Sequence, residues 1–393
     1  MIGVSSRSSI PAAMAALTSL RNGLGSGPEG RDEDICLMAS VYRGFARTPN
    51  AGIPGGGFVV DASVKSGAAG VAACYGRGMK DKRQNELFGE ALPNIKPLSA
   101  VERRLIRSAE EIAREEPREL LFQHTVFCQT GLPYRNPGDD VRVWERNQGH
   151  IGLSVEAGRV RNPDTSKFVD LGLPFGPKPR LILTHLNAEA LRQGSPEIEV
   201  DDSLTAFVRR ILDYEPNGKE MRLFKDQLGR LSAALVRLSI ENGSRAFQID
   251  TKVVTAFDLW FPKDQRQRVL WPSVIRLSHE YFESLQRHAV PLDERAIASL
   301  SHSAMGLDVY CWLAQRLHRV DPARPQFIPW SAVKDQFGWQ YKRMVEFRRV
   351  FRRTLDMVLS QYRAAQIELD GRGLTLRNSP PPIKGRMGLI SKS

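Results

Sequence analysis

Twice along this chain the apolar spacing runs through the same succession of helix, short strand, helix, helix and two alternating strands, an order that few folds accommodate. In the first pass Leu181, Ile182, His185, Leu186 and Leu191 fall near one helical face from Pro179 until Gly194, a suitable helix end. A short strand follows over 198–200. Ser203 then caps LTAFVRRIL, and after the turn Pro216-Asn217-Gly218 a third helix begins near Lys219, with Met221, Leu223, Phe224, Leu228 and Leu231 as its apolar positions. ALVRLSI and RAFQIDTKVVTAFDLWF alternate on either side of Glu241-Asn242-Gly243-Ser244, and Asn-Gly between such runs predicts a hairpin. In the second pass SHEYFESLQ, ERAIASLSHSAM and LDVYCWLAQRLHR are helical, FIPW is a short strand, and Ser331 opens a helix over SAVKDQFG. A long helix then runs from near Tyr341 to Tyr362, and AQIELD and LTLRN flank Gly371-Arg372-Gly373. The repetition is of architecture only, since no sequence repeat accompanies it.

This is the element order of the winged helix, a helix-turn-helix variant. The expected fold class is therefore helix-rich α+β, with two winged-helix modules in tandem: a first domain over 98–262 with a leading helix and a second over 263–383. The leading helix is marked by a capping box, Ser99 with Glu102, and by Val101, Leu105, Ile106, Ala109, Ile112 and Ala113 at helical spacing before Pro117. Ile151, Leu153 and Val155 alternate as one strand of a hairpin. Residues 1–97 carry Ser and Gly clusters and no sustained period, which predicts a weakly ordered extension. Within it Met79 precedes a polar, basic run that looks like an ordinary bacterial N-terminus, and translation is expected to start there. Residues 384–393 form a basic tail.

Charge narrows the partner. Lys and Arg exceed Asp and Glu by 12, and the excess is mostly Arg spread through patterned segments, which favours a polyanion. The four cysteines, Cys36, Cys74, Cys128 and Cys311, stand far apart, so neither a disulfide framework nor a zinc site is expected. No apolar run approaches a membrane span and no signal-peptide pattern stands at the start, so the expected home is the bacterial cytoplasm, with no membrane partner.

The strongest concentration of positive charge lies on the long helix of the second pass. Met344, Phe347, Phe351, Leu355 and Val358 make one face, which should pack on the core. Opposite lie Lys342, Arg349 and Arg353, with Arg352 to one side and Arg343 and Arg348 toward the flanks. Six basic residues in twelve against Glu346 alone exceed what solubility needs, and Arg can fork to a guanine edge or a phosphate. A helix directly before the hairpin is where a winged helix carries its reading helix, and Arg372 at the hairpin tip is the natural wing residue. The earlier candidate helix carries Lys219, Arg222, Lys225 and Arg230 among Glu220 and Asp226, a mixed face suited to phosphate contact, with Arg237, Arg245 and Lys252 along its hairpin. Trp260, Trp271, Trp312 and Trp330 sit in apolar patterns and are expected in the core. His185, His288, His302 and His318 lack metal-ligand spacing, and His318 reads as a helix-end residue.

Catalysis finds no support in the motifs. There is no GxxxxGK[ST] phosphate loop, none of the seven histidines forms the His-hydrophobic-His run of a nickase, and the Arg-His-x-x-Arg set of tyrosine recombinases is missing. Asp139-Asp140 and Asp201-Asp202 stand at turns or caps, where local hydrogen bonding accounts for them. A protein that is not an enzyme and needs no cofactor is expected.

From about Leu120 to Ile383 the chain resembles the RepA-type plasmid replication initiators, in the runs LLFQHTVFCQTGLPYR, GLPFGPKPRLILTHLNAEAL, SLTAFVRRI, VTAFDLWFP, LSHEYFESLQRHAVPLDERAIASLSHSAMGLDVYCWLAQRLHR and DGRGLTLRNSPPPI. That resemblance implies two winged-helix modules bound to double-stranded DNA repeats at a plasmid origin, opening or bending the DNA. It implies recruitment of host replication proteins, such as the host initiator and replicative helicase, and is compatible with a homodimer. It implies nothing for the first ninety or so residues. A sequence-specific repressor would use the same modules, and a DNA-processing enzyme is a more distant alternative.

Overall fold

The computed structural model describes residues 97–162, 165–199, 203–242, 245–256 and 274–383, with backbone alone for residues 242, 245, 246, 255 and 256. All lie within a single compact unit of the chain, Phe45–Ser393. The expected N-terminal extension, the start at Met79, the boundary between 262 and 263, and the basic tail fall outside them.

The leading helix spans Ala100–Arg114 (α1), and its capping box is made: Glu102 N–H donates to Ser99 Oγ at 3.2 Å and Ser99 N–H to the Glu102 carboxylate at 2.8 Å. The first pass then appears as α3 (Pro177–Gln193), β6 (Glu197–Glu199), α4 (Leu204–Leu212) and α5 (Gly218–Ala233). Gly194 ends α3 in the left-handed region at φ 65°, and Ser203 caps α4 by accepting from Ala206 N–H at 3.1 Å. Asn217 caps α5 and Glu220 closes a second capping box. After these come β7 (Leu235–Asn242), β8 (Arg245–Thr251), β9 (Val254–Ala256) and β10 (Val274–Leu277).

Strands β7 and β8 pair as expected, down to Asn242 opposite Arg245, yet the placement of the pair differs from expectation. It joins β2 (Val143–Gln148) and β3 (Ile151–Glu156) in a four-stranded sheet, β2-β3-β7-β8, instead of closing on β6. The reason is apolar register. Leu153 and Val155 of β3 lie opposite Leu238 and Val236 of β7, and all four are buried. The partner of β6 is β10, where buried Ile198 faces buried Ile275, and the sheet order is β6-β10-β9.

The second pass comprises α8 (Ala304–Arg316), β12 (Gln326–Pro329), α9 (Trp330–Phe337), α10 (Met344–Gln361), β13 (Ile367–Leu369) and β14 (Gly373–Leu376). Its sheet runs β12-β14-β13, so in both passes the strand before the helix pair lies beside the last strand, which in turn pairs with the middle one. Three boundaries shift. ERAIASLSHSAM is two helices: α7 (Glu294–Ser299) stops, and Ser303 caps α8 through Gly306 N–H at 3.0 Å. Helix α9 starts at Trp330 behind Pro329, so Ser331 lies inside it and caps nothing. Helix α10 starts at Met344, and Arg343 is its extended cap residue; Lys342 and Arg343 therefore precede the helix, and the expected spokes at 100° apply only from Arg348 onward.

Sequence patterning missed the elements that join these passes. Between α1 and β2 lie β1 (Leu120–His124) and α2 (Thr125–Gln129), and β11 (Ala289–Asp293) follows α6 (His279–His288), the helix expected over SHEYFESLQ. Strand β11 pairs antiparallel with β1 across the expected boundary, Leu121 opposite Leu292. A small hairpin, β4 (Arg159–Arg161) with β5 (Phe168–Asp170), was also unforeseen. At the centre α3 meets α8, where Arg180 Nε and Nη2 donate to the two Asp308 carboxylate oxygens at 2.6 and 2.8 Å. Arg180 also donates to the carbonyls of Leu132, Pro133 and Gly176, so this ion pair is buried with its hydrogen-bonding capacity in use.

Candidate nucleic-acid interface

Helix α10 is held by its aromatic face. Phe347, Phe351, Leu355 and Val358 are buried, and Trp330, also buried, meets Phe347 and Phe351 edge-on at 6.4 and 5.9 Å between ring centroids. The turn between α9 and α10 comes close to this cluster, and a Cβ on Gly338 would overlap the Phe347 ring. The opposite face is thereby fixed. Arg349 and Arg353 are exposed one turn apart, and neither has an ion pair among the described residues. Arg348 and Arg352 turn sideways over the Trp330 ring, 5.2 and 5.8 Å from its centroid, and Arg348 Nε is buried with no hydrogen-bond partner. Lys342 is exposed ahead of the helix, and Arg343 lies 3.5 Å from Glu346.

The hairpin beside this helix is tied to it through Trp330. Its backbone N–H donates to Arg372 O and its indole N–H to Asp370 O, both at 3.0 Å. Asp370 accepts the backbone N–H groups of Gly373 at 2.8 Å and Arg372 at 2.7 Å, which hold its carboxyl below the usual carboxylate range and close the turn. Arg372 is exposed at the tip, 3.3 Å from Asp370 and 5.7 Å from the Phe327 ring centroid.

On α5, Lys219 and Arg222 are exposed. Lys225 is half-buried, and burial lowers its pKa. Arg230 lies 3.0 Å from Asp226, donates to Leu173 O at 3.4 Å and stands 5.2 Å from the Phe175 ring, so its charge faces the protein. Arg237 is ion-paired with Glu156 and lies 3.4 Å from Asp250. The side chain of Arg245 lies outside the described residues. Of the thirteen candidate cations, Arg349, Arg353, Lys342, Lys219 and Arg222 are exposed without an ion pair among the described residues, Arg372 is exposed but paired with Asp370, and the others whose side chains are described are half-buried or engaged with protein groups. Sequence periodicity found the outward face of α10; it had no means of seeing that Arg348 and Arg352 are drawn onto Trp330, because that ring comes from another helix.

The remaining candidates are simpler. Trp312 and Trp330 are core residues, as expected, while Trp260 and Trp271 lie outside the described residues. His318 sits in the 3-10 turn Leu317–Arg319 that ends α8, its Nδ1 3.1 Å from Ala314 O. Among the described residues no three His, Cys, Asp or Glu side chains gather as metal ligands, and no helix is long and apolar enough to cross a membrane.

Residues 173–332 match the family model described as plasmid encoded RepA protein, so the resemblance seen in the sequence holds from just before α3 into α9. Helix α10 and its hairpin lie beyond the matched span. No curated protein matches the chain. Among solved structures, domains 2 and 3 of RctB align at 8% identity and a TM-score of 0.42, covering 65% of this chain and 99% of that one. A second RctB domains 2-3 structure aligns at 9% identity and a TM-score of 0.38, covering 64% and 96%.

Proposed function

We propose that this chain is a plasmid replication initiator that binds double-stranded DNA repeats at an origin through two winged-helix modules and helps to load host replication proteins there, without chemistry of its own. The family match supports the initiator role. The shared sheet orders β6-β10-β9 and β12-β14-β13 support the modules, because a winged helix places the strand before its helix pair beside the last strand of the wing. On this reading β9 and β10, not β7 and β8, are the wing strands of the first module.

The observation that carries DNA contact is the pairing of Arg349 and Arg353, exposed and without ion-pair partners among the described residues, on a helix whose other face is locked by Phe347 and Phe351. Such a helix can set two guanidiniums into a major groove, with Arg372 beside them on the backbone. Lys219 and Arg222 on α5, next to Glu220 and Asp226, would meet phosphates and position the protein. The test uses footprinting on the parent plasmid to find the repeats, then specific and non-specific affinities of folded variants. Arg349→Ala or Arg353→Ala should shrink the specific to non-specific ratio by about 5-fold or more, while Lys219→Ala and Arg222→Ala should weaken both affinities alike. Equal behaviour of the two pairs would reject α10 as the reading helix. Binding should also fall steeply with salt as counterions are released, and a flat response would count against the basic faces.

A further inference from the structure

Where α2 meets the end of α8 and the start of β12, a cleft of about 200 Å³ is lined by Gln129, Gln315, Arg316, Arg319, Val320 and Gln326. We propose that this cleft is a docking site for an acidic segment of a partner protein, receiving one or two carboxylates on Arg316 and Arg319. The lining holds two guanidiniums and three carboxamides and no carboxylate. Arg316 is half-buried over Trp312, 5.9 Å from the ring centroid, and donates from Nε to Gln326 Oε1 at 2.9 Å. Arg319 makes its contact through Nε with His318 Nε2 at 3.3 Å. Neither arginine forms an ion pair among the described residues, so their terminal nitrogens carry the charge at the cleft.

Two further observations mark the region as short of negative charge. Burial lowers the pKa of Arg316 with no acidic neighbour to offset it. His288, nearby, is lowered by its burial and then by Arg287 and Arg319. Arg316, half-buried without a counterion among the described residues, carries part of the desolvation cost of its charge, and an incoming carboxylate shared with the exposed Arg319 offsets it through charge-assisted hydrogen bonds.

Size and position favour a peptide over DNA. The cleft is smaller than the roughly 300 to 1,000 Å³ that whole small-molecule ligands occupy, which suits side-chain groups carried by a larger partner. A carboxylate on a flexible stem can reach a guanidinium on a cleft wall, whereas a duplex presents its phosphates on a stiff outer rail. Strand β12 also runs from Gln326 at the cleft to Pro329, which pairs with Gly373 at the wing turn, so the cleft opens at the end of the sheet away from Arg372. The inference does not depend on α10 reading DNA.

The experiment measures fluorescence anisotropy of a labelled ten-residue peptide of alternating Glu, Asp and Leu with the full chain, and origin or random duplex in parallel. The doubly substituted Arg316→Gln, Arg319→Gln chain should bind the peptide about 10-fold more weakly or worse, with DNA affinity changed far less. Gln129→Glu, which keeps both arginines and places a carboxylate in the cleft, should weaken the peptide likewise and keeps the test decisive if the double variant fails to fold. Arg349→Ala should leave peptide binding intact. Inorganic phosphate is the competing arm: displacement of peptide only at concentrations that also release DNA would mark general charge screening and overturn the proposal. Equal peptide affinity for the substituted and unsubstituted chains, or a loss of DNA binding as large as the loss of peptide, would overturn it as well.

Discussion

His124 shows how one side chain can set the acid limit of the whole fold. It ends β1 and caps α2, with Val126 N–H donating to Nδ1 at 3.2 Å, which leaves the proton on Nε2 to be donated to Ser284 Oγ at 3.0 Å. Both ring nitrogens are thus committed to the neutral form, and burial with the nearby His288 lowers the pKa to about 3. The unfolded chain takes up this proton near pH 6.5 while the folded chain does not. Stability from this group is therefore intact above pH 6.5 and declines as the pH falls toward 3, by about 2 kcal/mol at pH 5. The melting temperature should drop between pH 7 and 5, and His124→Asn, which can still accept from Val126 N–H but does not titrate, should flatten most of that slope. An unchanged slope in the variant would assign the acid sensitivity to other groups, His288 first among them.

At the scale of elements, the turn between α9 and α10 should be intolerant of any side chain at Gly338, since the Cβ would overlap the buried Phe347 ring. Gly338→Ala should cost about 1 to 3 kcal/mol in thermal or urea unfolding, and Phe347→Leu in the same chain should relieve part of that overpacking. The helices themselves were legible because caps and periodicity are local: Ser99 and Ser203 mark two of their starts as expected, and the turn Pro216-Asn217-Gly218 precedes a third, where Asn217 proves to be the cap. The partners of the strands were not. Nothing near Asn242 announces that β7 will lie beside β3, since that choice is settled by Leu238 and Val236 finding Leu153 and Val155 some eighty residues away. Strand β11 hid in AVPLD, five residues with a central proline between two helices, and is legible only beside β1. On α10 the sequence showed which cations point outward, and could not show that Arg348 and Arg352 lie on Trp330.

Across the whole molecule, the α3 to α8 junction depends on one buried ion pair. Asp308→Asn would leave Arg180 charged among carbonyls without its counterion and should cost about 3 to 5 kcal/mol, whereas Arg180→Met with Asp308→Leu should regain much of the loss; urea midpoints of the three chains check this. A double variant no better than Asp308→Asn would mean that Arg180 acts mainly through the carbonyls it ties together. The pairing of β1 with β11 carries a different consequence, one of time. From His124 to Ala289 the ribosome must add 165 residues, and at about 5 to 20 residues per second that is roughly ten to thirty seconds. Through that interval Leu121 and its neighbours emerge with an open strand edge and no mate, so a nascent chain stalled before residue 289 is the form of this protein most exposed to chaperones and proteases.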